Sequence, residues 1–288
     1  MTLSVFATIF MLLSAILHAI VSLLLKQAGD KLVFRAALSL ISALILFPFI
    51  FVFPFPPRES WSFLFIGLGV HYIYQIAMIG AFARGDMSLV YPLMRGSAPA
   101  LAALAAFLIL GESLTIVQMT GLALSILILI AFGWPKRLSN QKLYAFSAIL
   151  LALICGVMIG LYATLDAGGA RLTRQIDGQI WGYVVWLFLL DSLGISLTAL
   201  VLRRRDIIKA FSQEIRRGLM ASLLSLVGFS LAIYALSVAP VAQMSALRET
   251  SIVFGSILAC LYLKEPFGQR RIILSIILAF GLILLQMG

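Results

Sequence analysis

The side chains that could do chemistry are ionisable groups set inside long apolar runs. Arg95, Arg248 and Glu249 each lie in a stretch that is otherwise almost entirely uncharged. A buried ionisable group is costly and needs a partner, a cavity or a functional role. Two guanidinium groups can bind a carboxylate, phosphate or phosphonate through paired hydrogen bonds. They can equally pair with buried acids and hold helices together, and the sequence leaves both interpretations open.

Polar and aromatic side chains form a second group of candidates. Ser14, His18, Ser22 and Lys26 recur every four residues and would form one stripe along a helix. A histidine in such a stripe can carry protons or a ligand, or simply hold helices together through a hydrogen bond. The candidate substrate-binding residues are Arg95, Arg248, Tyr91, His71, Gln75, Tyr72 and Trp186. The candidates for coupling or gating are His18, Glu249 and Pro99.

Signatures of catalysis and of cofactor binding do not occur in the sequence. There is no HExxH, no GxSxG and no GxxxxGK[ST] phosphate loop. Two cysteines, Cys155 and Cys260, are too few for a Cys-rich metal cluster. Rings of acidic residues that would line an ion channel are not evident either. We therefore expect a protein that is not an enzyme and that uses no cofactor or metal.

The composition places these residues in a membrane. Of 288 residues, 62% are hydrophobic and 11% are charged, and the mean hydropathy is +1.11. Soluble domains are about one quarter charged, so this chain could not bury its apolar surface away from water. The composition excludes a soluble globular protein, a disordered chain and a disulfide-rich scaffold. It predicts a polytopic membrane protein.

The apolar runs predict ten transmembrane helices. A bilayer core needs about 20 apolar residues per helix, and continuous runs without period-two alternation favour helices over a β-barrel. The predicted fold class is thus all-α. The ten runs are Ser4–Leu25, Val33–Phe53, Trp61–Phe82, Ser88–Leu110, Leu114–Phe132, Leu143–Leu165, Ile180–Leu202, Leu219–Val238, Pro240–Leu263 and Ile272–Met287.

An internal repeat divides the chain. The same number of positions separates Arg95 from Arg248 and Glu112 from Glu265. Repeats of five helices each must insert in opposite orientations, because five is an odd number. We predict a first repeat over residues 1–133 and an inverted second repeat over residues 143–288. Inverted repeats are typical of transporters, since exchanging the conformations of the two halves changes which side is open.

Three segments resemble a known family. They read LLSAILHAIVSLLLKQAGDKL, GDMSLVYPLMRGSAPALAALAAFLILGES and APVAQMSALRETSIVFGSILACLYLKEPF, and they are similar to the EamA-type branch of the drug/metabolite transporter superfamily. The resemblance implies ten helices in two inverted repeats around a central cavity, with export or exchange of small metabolites. Glu112 and Glu265 each precede the next helix, where a carboxylate favours the positive helix end, so we expect a structural role for both.

The expected function is secondary transport by alternating access. The two arginines favour a small anionic or zwitterionic metabolite, such as an amino acid or an organophosphorus acid. The alternative is multidrug efflux of lipophilic cations, for which we would expect an acid in the first helix, where this chain has His18. The net charge of +10 is explained by loop residues that set orientation, so nucleic acid is not an expected partner. The expected partners are the substrate and the lipid bilayer. The sequence is compatible with a monomer.

The basic residues predict how the protein sits in the cell membrane. Sixteen of the 21 Lys and Arg residues fall in the odd-numbered connections between runs when Arg35, near the start of the second run, is counted with the first connection. Three fall in the even-numbered connections. Basic loops remain in the cytoplasm, so both termini should face outside. A C-terminal fusion to a reporter enzyme that works only in the cytoplasm should therefore be inactive. Activity of this fusion would show that the orientation is the reverse of the predicted one.

Overall fold

The computed structural model describes residues 2–85, 87–96, 98–133, 142–263 and the six positions 273, 274, 277, 280, 281 and 284. This described part is helical and contains no strand, as the sequence predicted. Its α-helices are α1 (Thr2–Gln27), α2 (Lys31–Leu46), α3 (Trp61–Arg84), α4 (Met87–Gly96), α5 (Ala98–Leu110), α6 (Ile116–Gly133), α7 (Lys142–Asp177), α8 (Trp181–Arg203), α9 (Ile207–Val238), α10 (Val241–Arg248) and α11 (Ser251–Leu263).

The described helices make this a multi-pass membrane protein. Seven stretches are long and apolar enough to span a bilayer. They are Val5–Gln27, Lys31–Phe51, Arg58–Arg84, Leu93–Leu110, Phe146–Asp177, Trp181–Arg203 and Ile207–Val238. The ninth predicted run forms α10 and α11. Most of the tenth run, Ile272–Met287, and Glu265 lie outside the described residues, so the count of ten helices stays a prediction.

Two helices extend well beyond the predicted runs. Helix α7 has 36 residues and α9 has 32. The connection that we expected over Arg203–Gly218 is a single 3₁₀ turn, Arg204–Asp206, after which α9 begins. The physical reason is packing, because Glu214 and Gly218 are buried and Gly218 lies against Ala37 of α2. A prediction from hydropathy ends a helix at its first charged residues, whereas packing against other helices stabilises the helix beyond them.

One predicted span is broken near its centre. The ninth run leaves the helical conformation at Glu249 and Thr250, which form a turn, and resumes as helix at Ser251. Non-helical backbone at membrane depth is tolerated where protein or a cavity surrounds it, so this break marks the interior of the bundle. The fourth run forms α4 and α5, and position 97 between them lies outside the described residues. Pro99 is buried in α5.

The packing of the helices relates the two halves of the chain. Helix α3 packs along α7, and α1 packs along α9. In the predicted repeat α1 is equivalent to α7 and α3 is equivalent to α9. Exchanging the two halves therefore converts one of these contacts into the other. The contacts of α5 with α7 and of α11 with α1 form a second such pair. Small residues permit the close approach of α7 to α5, where a Cβ on Gly160 would lie 2.7 Å from the Ala102 nitrogen.

A lysine covers the end of α3. The Lys26 ammonium, near the end of α1, donates to the Phe82 carbonyl at 3.1 Å and to the Gly85 carbonyl at 2.7 Å. The last carbonyls of a helix have no partner within the helix, and a cation there also favours the helix dipole. This contact therefore holds the ends of α1 and α3 together.

An arginine repeats the arrangement in the second half. Arg171 of α7 donates to the Leu236 carbonyl at 3.1 Å and to the Ala239 carbonyl at 2.7 Å, at the end of α9. The same number of positions separates Phe82 from Leu236 and Gly85 from Ala239. The two contacts lie at opposite ends of the bundle, so equivalent helices run in opposite directions. Inversion of the halves accounts for this arrangement.

Polar contacts also tie the halves together where α1 turns into α2. We call this the basic end of the bundle, defined by residues 27–31 and 203–209. The Glu214 carboxylate accepts from the Asp30 backbone N–H, and the Asp30 side chain pairs with Arg203. Partial burial raises the pKa of the Asp30 carboxyl, but hydrogen bonds from Arg203, Val33 and Leu32 outweigh burial and lower the pKa from its ordinary value. Asp30 is thus an ionised N-cap of α2 that also holds α8.

Glu112 ties the halves at the opposite end, which comprises residues 111–115, 177–181 and 238–241. Its carboxylate lies 2.6 Å from Arg171 Nη1 and accepts the Val241 N–H at 2.8 Å. Glu112 therefore caps α10 of the other half, and the expectation that it caps the next helix is wrong. Thr115 and Gln118 cap α6 reciprocally instead.

Replacement of Glu112 should lower thermal stability. Glu112→Ala removes the cap and the ion pair and should cost about 1–2 kcal/mol. Glu112→Gln removes only the charge and should cost less. Thermal unfolding followed by tryptophan fluorescence in detergent measures the difference, with the exposed Glu59→Ala as the matched control. An unchanged melting temperature for Glu112→Ala would show that the tie does not stabilise the bundle.

Candidate functional site

A cavity lies between the two halves of the bundle. Its volume is about 60 Å³, which holds a few water molecules, so it must widen to admit a metabolite. Seven helices line it. The lining residues are His18, Val21, Ser22, Leu25, Phe34, Arg35, Leu38, Ser39, His71, Tyr74, Met78, Tyr162, Leu187, Phe188, Asp191, Ser225, Phe229 and Arg248.

Arg248 reaches this cavity from the end of α10. The residue is 4% exposed, and its guanidinium carbon lies 5.3 Å from the centre of the Phe229 ring. Its Nε has no hydrogen-bond partner, and no acid among the described residues forms an ion pair with it. A buried guanidinium that stacks on an aromatic face and retains free donors is suited to an anion.

Arg95 does not line the cavity, although the sequence suggested that both arginines would. It is 0% exposed, and its Nη1 lies 3.3 Å from Oε1 of Glu249, which is 1% exposed. The Tyr91 ring lies 5.7 Å from its guanidinium carbon and shields it. Of the two interpretations left open, pairing with a buried acid holds for Arg95. The same contact directs Glu249 and Tyr91 away from the cavity.

The repeat explains why the two arginines differ. Arg95 and Arg248 occupy equivalent positions in the repeat, and the residue that follows each of them differs. That residue is Glu249 in the second half and Gly96 in the first. Arg95 therefore receives an acid from the other half, whereas glycine stands where the symmetric acid of Arg248 would be. One missing carboxylate leaves one guanidinium available.

His71 enters the cavity as half of a buried pair. Its Nε2 lies 3.0 Å from Oδ2 of Asp166 on α7. The imidazole stacks on Tyr162 at 4.4 Å between centroids and meets Phe229 edge-on at 5.7 Å. Asp166 was not among the predicted site residues. The signal that could have found it is its spacing of four residues from Tyr162, which places both on one face of α7.

Gln75 joins two charged residues that the sequence analysis left out of the site. Its Oε1 accepts from Arg35 Nε at 3.0 Å, and its Nε2 donates to both carboxylate oxygens of Asp191 at 2.9 Å. Arg35 and Asp191 line the cavity, and Gln75 lies behind them. Counting Arg35 as a connection residue was wrong, because Asp30 starts α2 at Lys31 and so puts Arg35 in its second turn.

His18 lies at the centre of the polar stripe on α1. Ser14 and Ser22 are buried, and Ser22 and His18 line the cavity, so the stripe faces the interior. The His18 Nε2 has no hydrogen-bond partner, and the ring is close enough to Arg95, Arg248 and Arg35 for electrostatic interaction. No three His, Cys, Asp or Glu side chains in the described part of the chain are placed to bind a metal.

Two predicted binding residues lie away from the cavity. Tyr72 is 37% exposed and its hydroxyl lies 2.7 Å from the Thr198 hydroxyl on the outer side of α8. Trp186 packs against Trp61 at 5.7 Å and Phe55 at 4.9 Å. Each of them follows or precedes a cavity-lining residue, His71 for Tyr72 and Leu187 for Trp186. Adjacent residues on a helix point about 100° apart, so Tyr72 and Trp186 face away from the cavity.

Comparisons with known proteins agree with this architecture. The model of the EamA-like transporter family matches residues 5–134 and 146–287. A solved structure described as "Crystal structure of protein" shares 14% sequence identity with a TM-score of 0.68, covering 96% of this chain and 95% of that chain. At this identity the likeness concerns the fold alone. No curated protein shows significant sequence similarity to the chain.

Removal of Glu249 should destabilise the protein more than removal of the whole ion pair. Glu249→Leu leaves the Arg95 charge buried without a partner, which costs about 3–5 kcal/mol. The double variant Arg95→Met/Glu249→Leu removes both charges and should recover most of that loss. The melting temperature and the monodisperse fraction in detergent measure both. If the double variant were no more stable than Glu249→Leu, the pair would not be the source of the loss.

Proposed function

The chain belongs to the EamA-like transporter family, and on this basis we propose that it is a secondary transporter of a small anionic or zwitterionic metabolite. Amino acids and organophosphorus acids are the expected classes. Transport would proceed by alternating access, as export or exchange across the cytoplasmic membrane. Both termini would lie outside, and the basic end of the bundle would face the cytoplasm.

The observation that carries the substrate class is Arg248. It lines the central cavity, and no described acid forms an ion pair with it. A charge buried without a partner is strongly unfavourable. An anion that enters the cavity can neutralise the Arg248 guanidinium, which water alone cannot do. The low dielectric of the surrounding apolar walls strengthens that attraction. We therefore assign Arg248 the role of binding the acid group of the substrate.

The contacts between the halves support alternating access. At both ends of the bundle the halves meet through polar side chains that are partly exposed, such as Glu112 with Arg171 and Asp30 with Arg203. Exposed ion pairs of this kind contribute about 1 kcal/mol or less each. They can therefore break and form again as one end opens and the other closes. The buried pair of Arg95 and Glu249 stays as the pivot between them.

Proton coupling would involve the histidines that face the cavity. His18 and His71 both line it, whereas Glu249 is engaged by Arg95. The two histidines are therefore placed to respond to a bound substrate, His18 as a coupling candidate and His71 as a binding candidate that could also carry a proton. Pro99 stays a gating candidate on α5.

Lipophilic cations are the second candidate class of substrate. The cavity presents the rings of Phe34, Tyr162, Phe188 and Phe229 together with the Asp191 carboxylate, features that attract an organic cation. The guanidinium of Arg248 already lies over the Phe229 ring and would repel a second cation. The cavity thus favours an acid group over a cation.

A thermal-shift screen of purified protein against amino acids, phosphonates and cationic drugs tests the proposal. We expect at least one acid to stabilise the wild-type protein, and Arg248→Gln to weaken its binding about 10- to 100-fold, because a hydrogen bond to a charged group contributes about 1.5–3 kcal/mol. Arg248→Lys should retain part of the affinity. The exposed Arg216→Gln is the control.

Transport by the same variants in proteoliposomes then connects binding with function. Uptake of the stabilising acid should be lost in Arg248→Gln and kept in Arg216→Gln. Stabilisation by cationic drugs, unaffected by Arg248→Gln, would instead identify the protein as a multidrug transporter.

A further inference from the structure

Three charged side chains line the cavity: Arg35, Asp191 and Arg248. We propose that the substrate matches them group for group, with two acid groups and one ammonium on a short carbon skeleton. This inference rests on the proposed transport function and narrows its substrate to a small amino dicarboxylic acid. Arg248 and Arg35 would each bind one acid group, and Asp191 would bind the ammonium.

The other buried charges near the cavity do not line it. Asp166 is paired with His71, and Arg95 is paired with Glu249. None of Asp166, Arg95 and Glu249 is a lining residue. The charged side chains that line the cavity are therefore two positive ones, Arg35 and Arg248, and one negative one, Asp191.

Gln75 keeps Arg35 and Asp191 separate. Its amide accepts from Arg35 Nε and donates to Asp191, so it bridges the two side chains without carrying charge itself. No direct ion pair joins Arg35 to Asp191 in the described structure. Neither charged group neutralises the other, so each can interact with a ligand in the cavity. A neutral bridge of this kind places a cation-binding group beside an anion-binding group at a fixed separation.

Arg248 supplies the third charge from a different element. It projects from the end of α10 and stacks on Phe229, whereas Arg35 projects from α2 and is held by Gln75. The side chains of Phe34 and Leu38 contribute apolar wall to the same cavity. The site therefore combines separated charges with an apolar lining that suits a short methylene stem.

Charge matching makes a specific prediction about discrimination. A ligand with one acid group leaves one guanidinium unpaired in a cavity of low dielectric, and a ligand without an ammonium leaves Asp191 unpaired. Unpaired charges at a buried site carry a large penalty. The three probes L-aspartate, L-alanine and succinate differ by these groups. Wild-type protein should bind L-aspartate at least tenfold more tightly than either of the others.

Substitutions should change the order of preference and not merely weaken binding. In Arg35→Gln one positive charge is gone, so L-alanine should bind at least as tightly as L-aspartate. In Asp191→Asn the negative charge is gone, so succinate should bind at least as tightly as L-aspartate. Arg35→Lys keeps the charge and should keep the wild-type order. The exposed Lys209→Gln and Asp206→Asn serve as controls. A purely structural role for Arg35 or Asp191 would weaken all three probes together.

Isothermal titration of the purified full-length protein in nanodiscs measures these affinities. Equal binding of L-aspartate and L-alanine, or of L-aspartate and succinate, by the wild-type protein would overturn the charge matching. So would binding of none of the three probes while another acid binds through Arg248, a result that leaves the proposed transport function intact. If no acid or zwitterion of any kind binds, the proposed function fails as well.

Discussion

The buried ion pair between Arg95 and Glu249 is the interaction on which the centre of the molecule depends. It joins the two halves of the chain beside the turn that separates α10 from α11. A charge at that depth is tolerated because its partner lies 3.3 Å away. The pair engages Glu249, and no acid in the described part of the chain forms an ion pair with Arg248.

The contacts between the halves are strongest at this central pair and weaker at the two ends of the bundle. The centre is buried and charged on both sides, whereas the ends are held by partly exposed groups, Glu112 with Arg171 at one end and Asp30 with Arg203 at the other. Exposed pairs contribute little to stability, and buried ones are costly to break. Under the proposed alternating access, the ends would separate in turn while the centre stays joined.

The departures from internal symmetry carry most of the chemical information. Lys26 and Arg171 cover helix ends at equivalent places in the two halves, and such repeated contacts concern architecture. Gly96 and Glu249 are equivalent positions that differ, and this difference separates a structural arginine from an available one. Substrate sites of inverted-repeat transporters lie at the interface of the repeats, so a site for an asymmetric ligand needs residues that differ between the halves.

The sequence by itself determined the fold class, the membrane location, the family resemblance and the presence of buried arginines, because long apolar runs leave helices in a bilayer as the stable solution. It also identified His71, Gln75 and Arg248 near the site. Only the tertiary structure decided that Arg95 faces Glu249 and that Arg35 and Asp191 face the cavity. Hydropathy records how apolar a segment is, but not the direction of each side chain. That direction depends on where helices from distant parts of the chain pack.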